Sequence, residues 1–206
     1  IPVFMGGDHS VSLPLLRAAK EKYGPVALVH FDAHCDLWHG YFDQKDTHGT
    51  PFRRALEEGL IDPARSSQVG LRGPLYDQED HQMSSEAGFM AITGPDLHRM
   101  GMERAVEKIK DRVGPGPAYL TFDIDFVDPA YAPGTGTPEP GGFTGYEALF
   151  LVRGLTEIDF IGYDMVEVMP SYDPAQITSL LAANIMYEFI SLIALSKNMG
   201  TSSSNI

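Results

Sequence analysis

The sequence has little cysteine, little positive charge and no uninterrupted apolar run. One cysteine in 206 residues excludes an internal disulfide. It fits a reducing compartment, so the chain is expected in the cytoplasm. Lys and Arg number 15 against 28 Asp and Glu, a net charge of −13. That balance argues against a nucleic-acid partner, which needs a basic face. It suits a small cationic ligand or metal ions. The most apolar stretch, 175–196, is broken by Gln176, Asn184 and Glu188. A membrane span needs about 20 predominantly apolar residues, so the stretch reads as a buried helix and no membrane partner is expected. No secretory signal, internal repeat or inter-domain linker is visible. The glycine-rich 134–139 stretch has neither a GK[ST] nor a G-x-G-x-x-G phosphate signature.

What remains is an ordinary soluble composition, 43% hydrophobic and 21% charged, in a chain long enough for one domain. Apolar runs at 1–5, 26–31, 68–71, 89–93, 117–122 and 160–163 read as strands. Helical patterns fall between them, at about 12–22 (capped by Ser10 or Ser12), 52–58, 102–112, 146–155 and 175–196. Strands alternating with helices predict an α/β fold, a three-layer αβα arrangement around a mostly parallel sheet. The catalytic domain is expected to span 1–197, with 198–206 as a disordered tail. The chain opens inside a strand without an initiator methionine, and is expected to be the later part of a longer protein.

Chemistry-bearing residues gather where strands end. Phe31-Asp32-Ala33-His34-Cys35-Asp36 follows one apolar run, and on an extended backbone the side chains at i, i+2 and i+4 would share one side. Asp123 and Asp125 follow a second run, and His9 follows a third within Gly6-Gly7-Asp8-His9-Ser10. Strand ends are where open α/β sheets hold ligands. Asp32, Asp36, Asp123 and Asp125 carry a total of four negative charges, which two divalent ions would neutralise. Two ions at roughly 3.5–4 Å can ionise a shared water near neutral pH, and oxygen-rich ligation without thiolate favours Mn²⁺, with Zn²⁺, Co²⁺ and Fe²⁺ as alternatives. His30 reads as a core histidine, Cys35 as packed, and His81 and His98 as surface. Asp123-x-Asp125 alone also fits a phosphoryl-transfer enzyme with Asp123 as nucleophile, but that leaves His9, Asp32, His34 and Asp36 unexplained.

The combination Gly6-Gly7-Asp8-His9-Ser10, Asp32-Ala33-His34-Cys35-Asp36, Thr47-His48-Gly49-Thr50-Pro51 and Phe122-Asp123-Ile124-Asp125-Phe126-Val127-Asp128-Pro129 is specific. With the 132–139 stretch and Val166-Glu167-Val168, it resembles the ureohydrolase family of arginases, agmatinases and related guanidino-hydrolases. The resemblance implies the arginase/deacetylase-like fold and two Mn²⁺ per subunit. One ion would take His9, Asp32, Asp36 and Asp123, the other His34, Asp32, Asp123 and Asp125. It also implies that Glu167 pairs with the substrate guanidinium, that His48 and Asp36 move protons, and that the protein is a homo-oligomer, a trimer or hexamer. An inactive relative serving as a binding subunit is the remaining alternative, and every expected ligand position is filled. Arginases meet the amino-acid end of arginine with an Asn/Ser-containing loop. Here the loop Leu37-Trp38-His39-Gly40-Tyr41-Phe42-Asp43 is aromatic. Trp38 and Tyr41 could instead face the ammonium of agmatine. Arg72 could meet the carboxylate of guanidinobutyrate, the second choice.

Overall fold

The computed structural model describes residues 1–41, 43–75 and 80–201. Its strands are β1 (Val3–Met5), β2 (Ala27–Phe31), β3 (Ser67–Leu71), β4 (Met90–Thr93), β5 (Ala118–Asp123) and β6 (Phe160–Val166). They form one sheet in the order β1-β6-β5-β2-β3-β4, with every pairing parallel. Among the described residues seven α-helices accompany it: α1 (Ser12–Tyr23), α2 (Pro51–Glu57), α3 (Asp80–Glu86), α4 (Gly94–Met100), α5 (Met102–Val113), α6 (Gly145–Gly154) and α7 (Ile177–Thr201). A parallel sheet is covered on both faces, so its central strands are mostly apolar. Every residue of β2, β5 and β6 is buried. The two faces read out alternately along β2. Ala27, Val29 and Phe31 join a core with α4, α5, α6 and α7. Val26 and Leu28 join the opposite core with α1 and α2.

Local chemistry explains most boundaries and corrects some. The first helical turn is capped by Asp8, whose side chain accepts from the Ser10 N–H at 3.0 Å, rather than by a serine. Helices α3 and α4 were not among the expected helices; α4 begins at Gly94-Pro95. Proline is well tolerated in a first turn, and Thr93 caps the helix by accepting from the Asp96 N–H. Helix α6 starts with a reciprocal Thr144–Glu147 capping box. The final helix, expected to be buried, is buried on one face only. In α7, Ala182, Ile185, Phe189 and Leu192 face the core, while Leu180 and Tyr187 are each 66% exposed. By length and composition α7 could cross a membrane; here one of its faces lies on the sheet. It extends to Thr201, past the expected boundary at 197, and 202–206 lie outside the described residues. Phe42 and the side chain of His81 also lie outside them. His98 is exposed and stacks on Phe143 at 4.4 Å.

From the central β2 the chain first builds outward through β3 and β4, then returns to place β5 and β6 on the other side. The carboxyl ends of β2 and β5 therefore sit side by side at the point where the winding reverses, which is where such sheets open a crevice.

Candidate metal centre and active site

Four strand ends supply the site: β1 leads to His9, β2 to Asp32, β5 to Asp123 and β6 to Glu167. The expected convergence of Asp32, His34 and Asp36 does occur, but not on an extended backbone. Strand β2 stops at Phe31, and the chain then bends and takes Asp36 to a φ of 52°. Glu167 has a φ of 63°. Left-handed backbone at a non-glycine residue is uncommon and costs about 1 kcal/mol or more. Both residues line the same pocket, so the cost falls where side chains must be aimed.

His9 Nδ1 lies 3.0 Å from Asp32 Oδ2, 3.0 Å from Asp36 Oδ2 and 3.2 Å from Asp123 Oδ2. His34 Nδ1 lies 3.0 Å from Asp125 Oδ2 and 3.4 Å from Asp32 Oδ1. Backbone N–H groups hold the carboxylates in place: His34 N–H donates to Asp32 (2.6 Å), Ala33 N–H to Asp125 (3.0 Å) and Asp125 N–H to Asp123 (2.9 Å). His9, Asp32, Asp36, Asp123 and Asp125 are all buried. The six expected ligands thus form one cluster, with Asp32 and Asp123 at its middle.

The donor set fits a pair of divalent cations. Among the described residues, His9 Nδ1 is buried without a hydrogen bond of acceptable geometry, yet three carboxylate oxygens point at it. Only a proton or a metal ion makes that arrangement favourable. Burial, then Asp125 and Asp32, push the Asp123 carboxyl well up. Burial, then Asp32, push Asp125 up to about 6. Burial alone would lower both histidines, but the carboxylates outweigh it. Asp123, Asp32 and Asp36 raise His9, and Asp125 and Asp32 raise His34. In the metal-free chain both rings therefore hold protons at neutral pH. Metal ligation needs them neutral, so Mn²⁺ binding should release about one to two protons per chain near pH 7, and affinity should fall as pH falls. Calorimetry in buffers of different ionisation enthalpy checks this. Identical heats in both buffers would contradict it.

His34, Asp36 and Asp123 of the cluster line a pocket of about 130 Å³. One wall carries Glu167 and His48, with His48 Nδ1 3.7 Å from Glu167 Oε1. Glu167 Oε1 also accepts from the His9 N–H at 2.7 Å. Burial pushes the Glu167 carboxyl up to about 6, against the opposing effect of that hydrogen bond. Trp38 and Tyr41 stack on each other at 5.7 Å along the rim, and His48 meets Tyr41 edge-on at 5.5 Å. Two glycines permit this packing. A Cβ on Gly49 would run into the Trp38 ring, and one on Gly73 into the His34 ring.

Arg72 is a correction. Its guanidinium donates to the carbonyls of Asp125 (2.7 Å), Glu139 (2.9 Å) and Gly70 (3.2 Å), so it clamps the loops behind the site rather than waiting for a substrate carboxylate. Some site residues were missed. Glu139 lines the pocket 3.5 Å from His34 Nε2, and Thr137 reaches Asp125 at 3.3 Å. Their signal in the sequence was membership of the 132–139 stretch that carries part of the family resemblance. His30 is a core histidine in burial, but it also lies 2.7 Å from Asp32 Oδ2.

Comparison with known proteins agrees with this geometry. The arginase family model matches residues 1–191. The chain is 47% identical over 193 residues to a guanidinobutyrase of Pseudomonas aeruginosa, covering 94% of this chain and 60% of that protein. It is 47% identical over 195 residues to a guanidinopropionase of the same organism, covering 94% and 61%. A crystal structure of a hypothetical agmatinase from Burkholderia thailandensis superposes with a TM-score of 0.86 at 43% identity, covering 95% of this chain and 60% of that one. The chain thus spans about three fifths of the length of each of these relatives.

Proposed function

The chain belongs to the arginase family, and on that premise we propose that it forms the catalytic core of a binuclear manganese hydrolase. The enzyme splits a guanidino compound, with agmatine favoured, into urea and an amine. One observation carries the reading: His34, Asp36 and Asp123 of the histidine–aspartate cluster line one pocket with the Glu167–His48 pair. His9, Asp32, Asp36 and Asp123 would hold one Mn²⁺, and His34, Asp32, Asp123 and Asp125 the other. When bound, the ions supply Lewis acidity and a water acidified toward neutral pH.

The protein's own groups supply the rest. A guanidinium spreads its charge over three nitrogens, so its carbon is a poor electrophile and orientation matters. Glu167, aimed into the pocket, accepts the guanidinium N–H groups and fixes the carbon over the cluster. The departing alkylamine must be protonated to leave. His48 stands beside Glu167 with its side chain one-third exposed and donates that proton from a ring nitrogen. Asp36 belongs to both the cluster and the pocket wall, and passes the proton lost by the attacking water toward the amine.

The substrate reading rests on charge. Among the described residues, no Lys or Arg lines the pocket, while Asp36, Asp123, Glu139 and Glu167 do. With Arg72 committed to carbonyls, a cationic tail is better served than a carboxylate, and the Trp38 and Tyr41 rings suit an ammonium. The second reading is 4-guanidinobutyrate or a related guanidino acid, favoured by the 47% identity to a guanidinobutyrase. The cytoplasmic location and the trimeric or hexameric assembly belong to the same proposal. The test is kcat/KM for agmatine, 4-guanidinobutyrate and arginine in the full-length protein with Mn²⁺. Agmatine should lead by at least about tenfold, roughly 1.4 kcal/mol of transition-state preference. A lead of that size for guanidinobutyrate would replace the substrate and leave the reaction class standing.

A further inference from the structure

Beneath the cluster, four polar side chains cross the sheet in register. Gln68 on β3 pairs with His30 on β2, His30 with Thr121 on β5, and Thr121 with Asp164 on β6. All four are fully buried in strands that are mostly apolar. A polar row at the centre of a parallel sheet is costly unless every member is hydrogen-bonded, and no step of the reaction above uses any of them.

The hydrogen bonds run in one direction on each side. Asp164 accepts from Ser12 Oγ (2.9 Å), Tyr119 Oη (2.9 Å) and Thr121 Oγ1 (2.5 Å). A threonine has one hydroxyl proton. With that proton given to Asp164, Thr121 Oγ1 can only accept from His9 Nε2, 2.8 Å away. His9 therefore keeps a proton on Nε2 whatever Nδ1 carries, which leaves Nδ1, facing Asp32, Asp36 and Asp123, as the atom that gives up its proton to a metal ion. On the other side, the Gln68 amide nitrogen donates to His30 Nδ1 (3.0 Å) and to the Cys35 carbonyl (2.7 Å). His30 must then carry its proton on Nε2, which faces Asp32 Oδ2 at 2.7 Å. Close packing fixes the rings themselves: Phe52 lies 5.1 Å from His9 and 4.4 Å from His30.

We propose that this buried row, Gln68–His30–Thr121–Asp164, is the orienting floor of the metal centre. It sets the His9 tautomer from one side and the Asp32 carboxylate from the other. All four are positioning residues, and His30 is not a metal ligand, because its only nitrogen facing the cluster carries a proton. Partners behind a ligand of this kind commonly affect metal affinity by about 10- to 100-fold. The inference rests on His9 and Asp32 being ligands, as proposed above.

The probe is Mn²⁺ alone, titrated into the metal-free full-length protein, with circular dichroism to check folding. T121V should weaken one of the two Mn²⁺ equivalents by about 10- to 100-fold, and T121S should restore it. D164N should weaken the same site, and the T121V/D164N pair should bind no worse than T121V alone, since the link is already broken at Thr121. Unchanged affinity in T121V, or additive losses in the pair, would overturn the proposal. Wild-type protein labelled with [15N]histidine and loaded with diamagnetic zinc tests it without any variant. His9 and His30 should both show protected Nε2–H signals. A His30 ring protonated on Nδ1, or bound to zinc, would overturn it. Absence of any metal binding by the wild type would instead defeat the underlying metal-centre reading.

Discussion

Replacing Asp123 by asparagine should reduce bound Mn²⁺ from two equivalents to at most one and lower urea release by on the order of 1000-fold or more, about 4 kcal/mol of transition-state stabilisation. Asp123 sits at the middle of the cluster, with Oδ2 3.2 Å from His9 Nδ1 and Oδ1 accepting from the Asp125 N–H at 2.9 Å. The amide keeps the shape and can keep that backbone bond. It loses the charge and one of the two oxygens that would bridge the ions. Stability should move the other way. Burial and the neighbouring Asp125 and Asp32 raise the Asp123 carboxyl above its unfolded value. A raised acid opposes folding once pH exceeds the unfolded value. The metal-free variant should therefore melt at the same temperature as the metal-free wild type, or higher. Elemental analysis, urea release and a thermal melt check the three parts. Two full equivalents with unchanged activity would remove Asp123 from the site.

Glu167→Gln should lower kcat/KM by on the order of 100- to 1000-fold while Mn²⁺ content stays at two equivalents. Losing one partner of a desolvated charge pair costs about 2–5 kcal/mol. The glutamine oxygen can still accept from the His9 N–H, so the loop that delivers His9 should hold. The pH profile supplies a second readout. Glu167 binds the guanidinium only when ionised, and burial lifts its carboxyl from 4.5 to about 6. With Mn²⁺ saturating, kcat/KM of the wild type should fall as pH drops through that region, and the glutamine variant should lack that component. A variant that loses metal instead of substrate affinity would make Glu167 part of the metal centre.

The parts of this account that were legible in the sequence are those written along the chain. Val26–Phe31 and the residues after it announce both a buried strand and a ligand cluster, and β5 with Asp123 and Asp125 repeats the message. The fold class, its parallel sheet and the likeness to ureohydrolases follow from such local runs. What was not legible depends on which residues become neighbours across strands. Gln68, His30, Thr121 and Asp164 are unremarkable separately, and only sheet register lines them up. Arg72 looked available because its carbonyl partners lie on loops as distant as Asp125 and Glu139. Helix α4 is only seven residues long, too short for a helical period to stand out, and starts on Gly94-Pro95. Strand periodicity gave the right neighbours for Asp32, His34 and Asp36 by the wrong route, since a left-handed residue at Asp36 does the turning.

Diffraction from crystals of the full-length protein grown with Mn²⁺, recorded at the manganese absorption edge, tests the central claim most directly. Two anomalous peaks are expected roughly 3.5–4 Å apart, one bounded by His9, Asp32, Asp36 and Asp123 and the other by His34, Asp32, Asp123 and Asp125. No anomalous peak among these residues at saturating Mn²⁺ would contradict it.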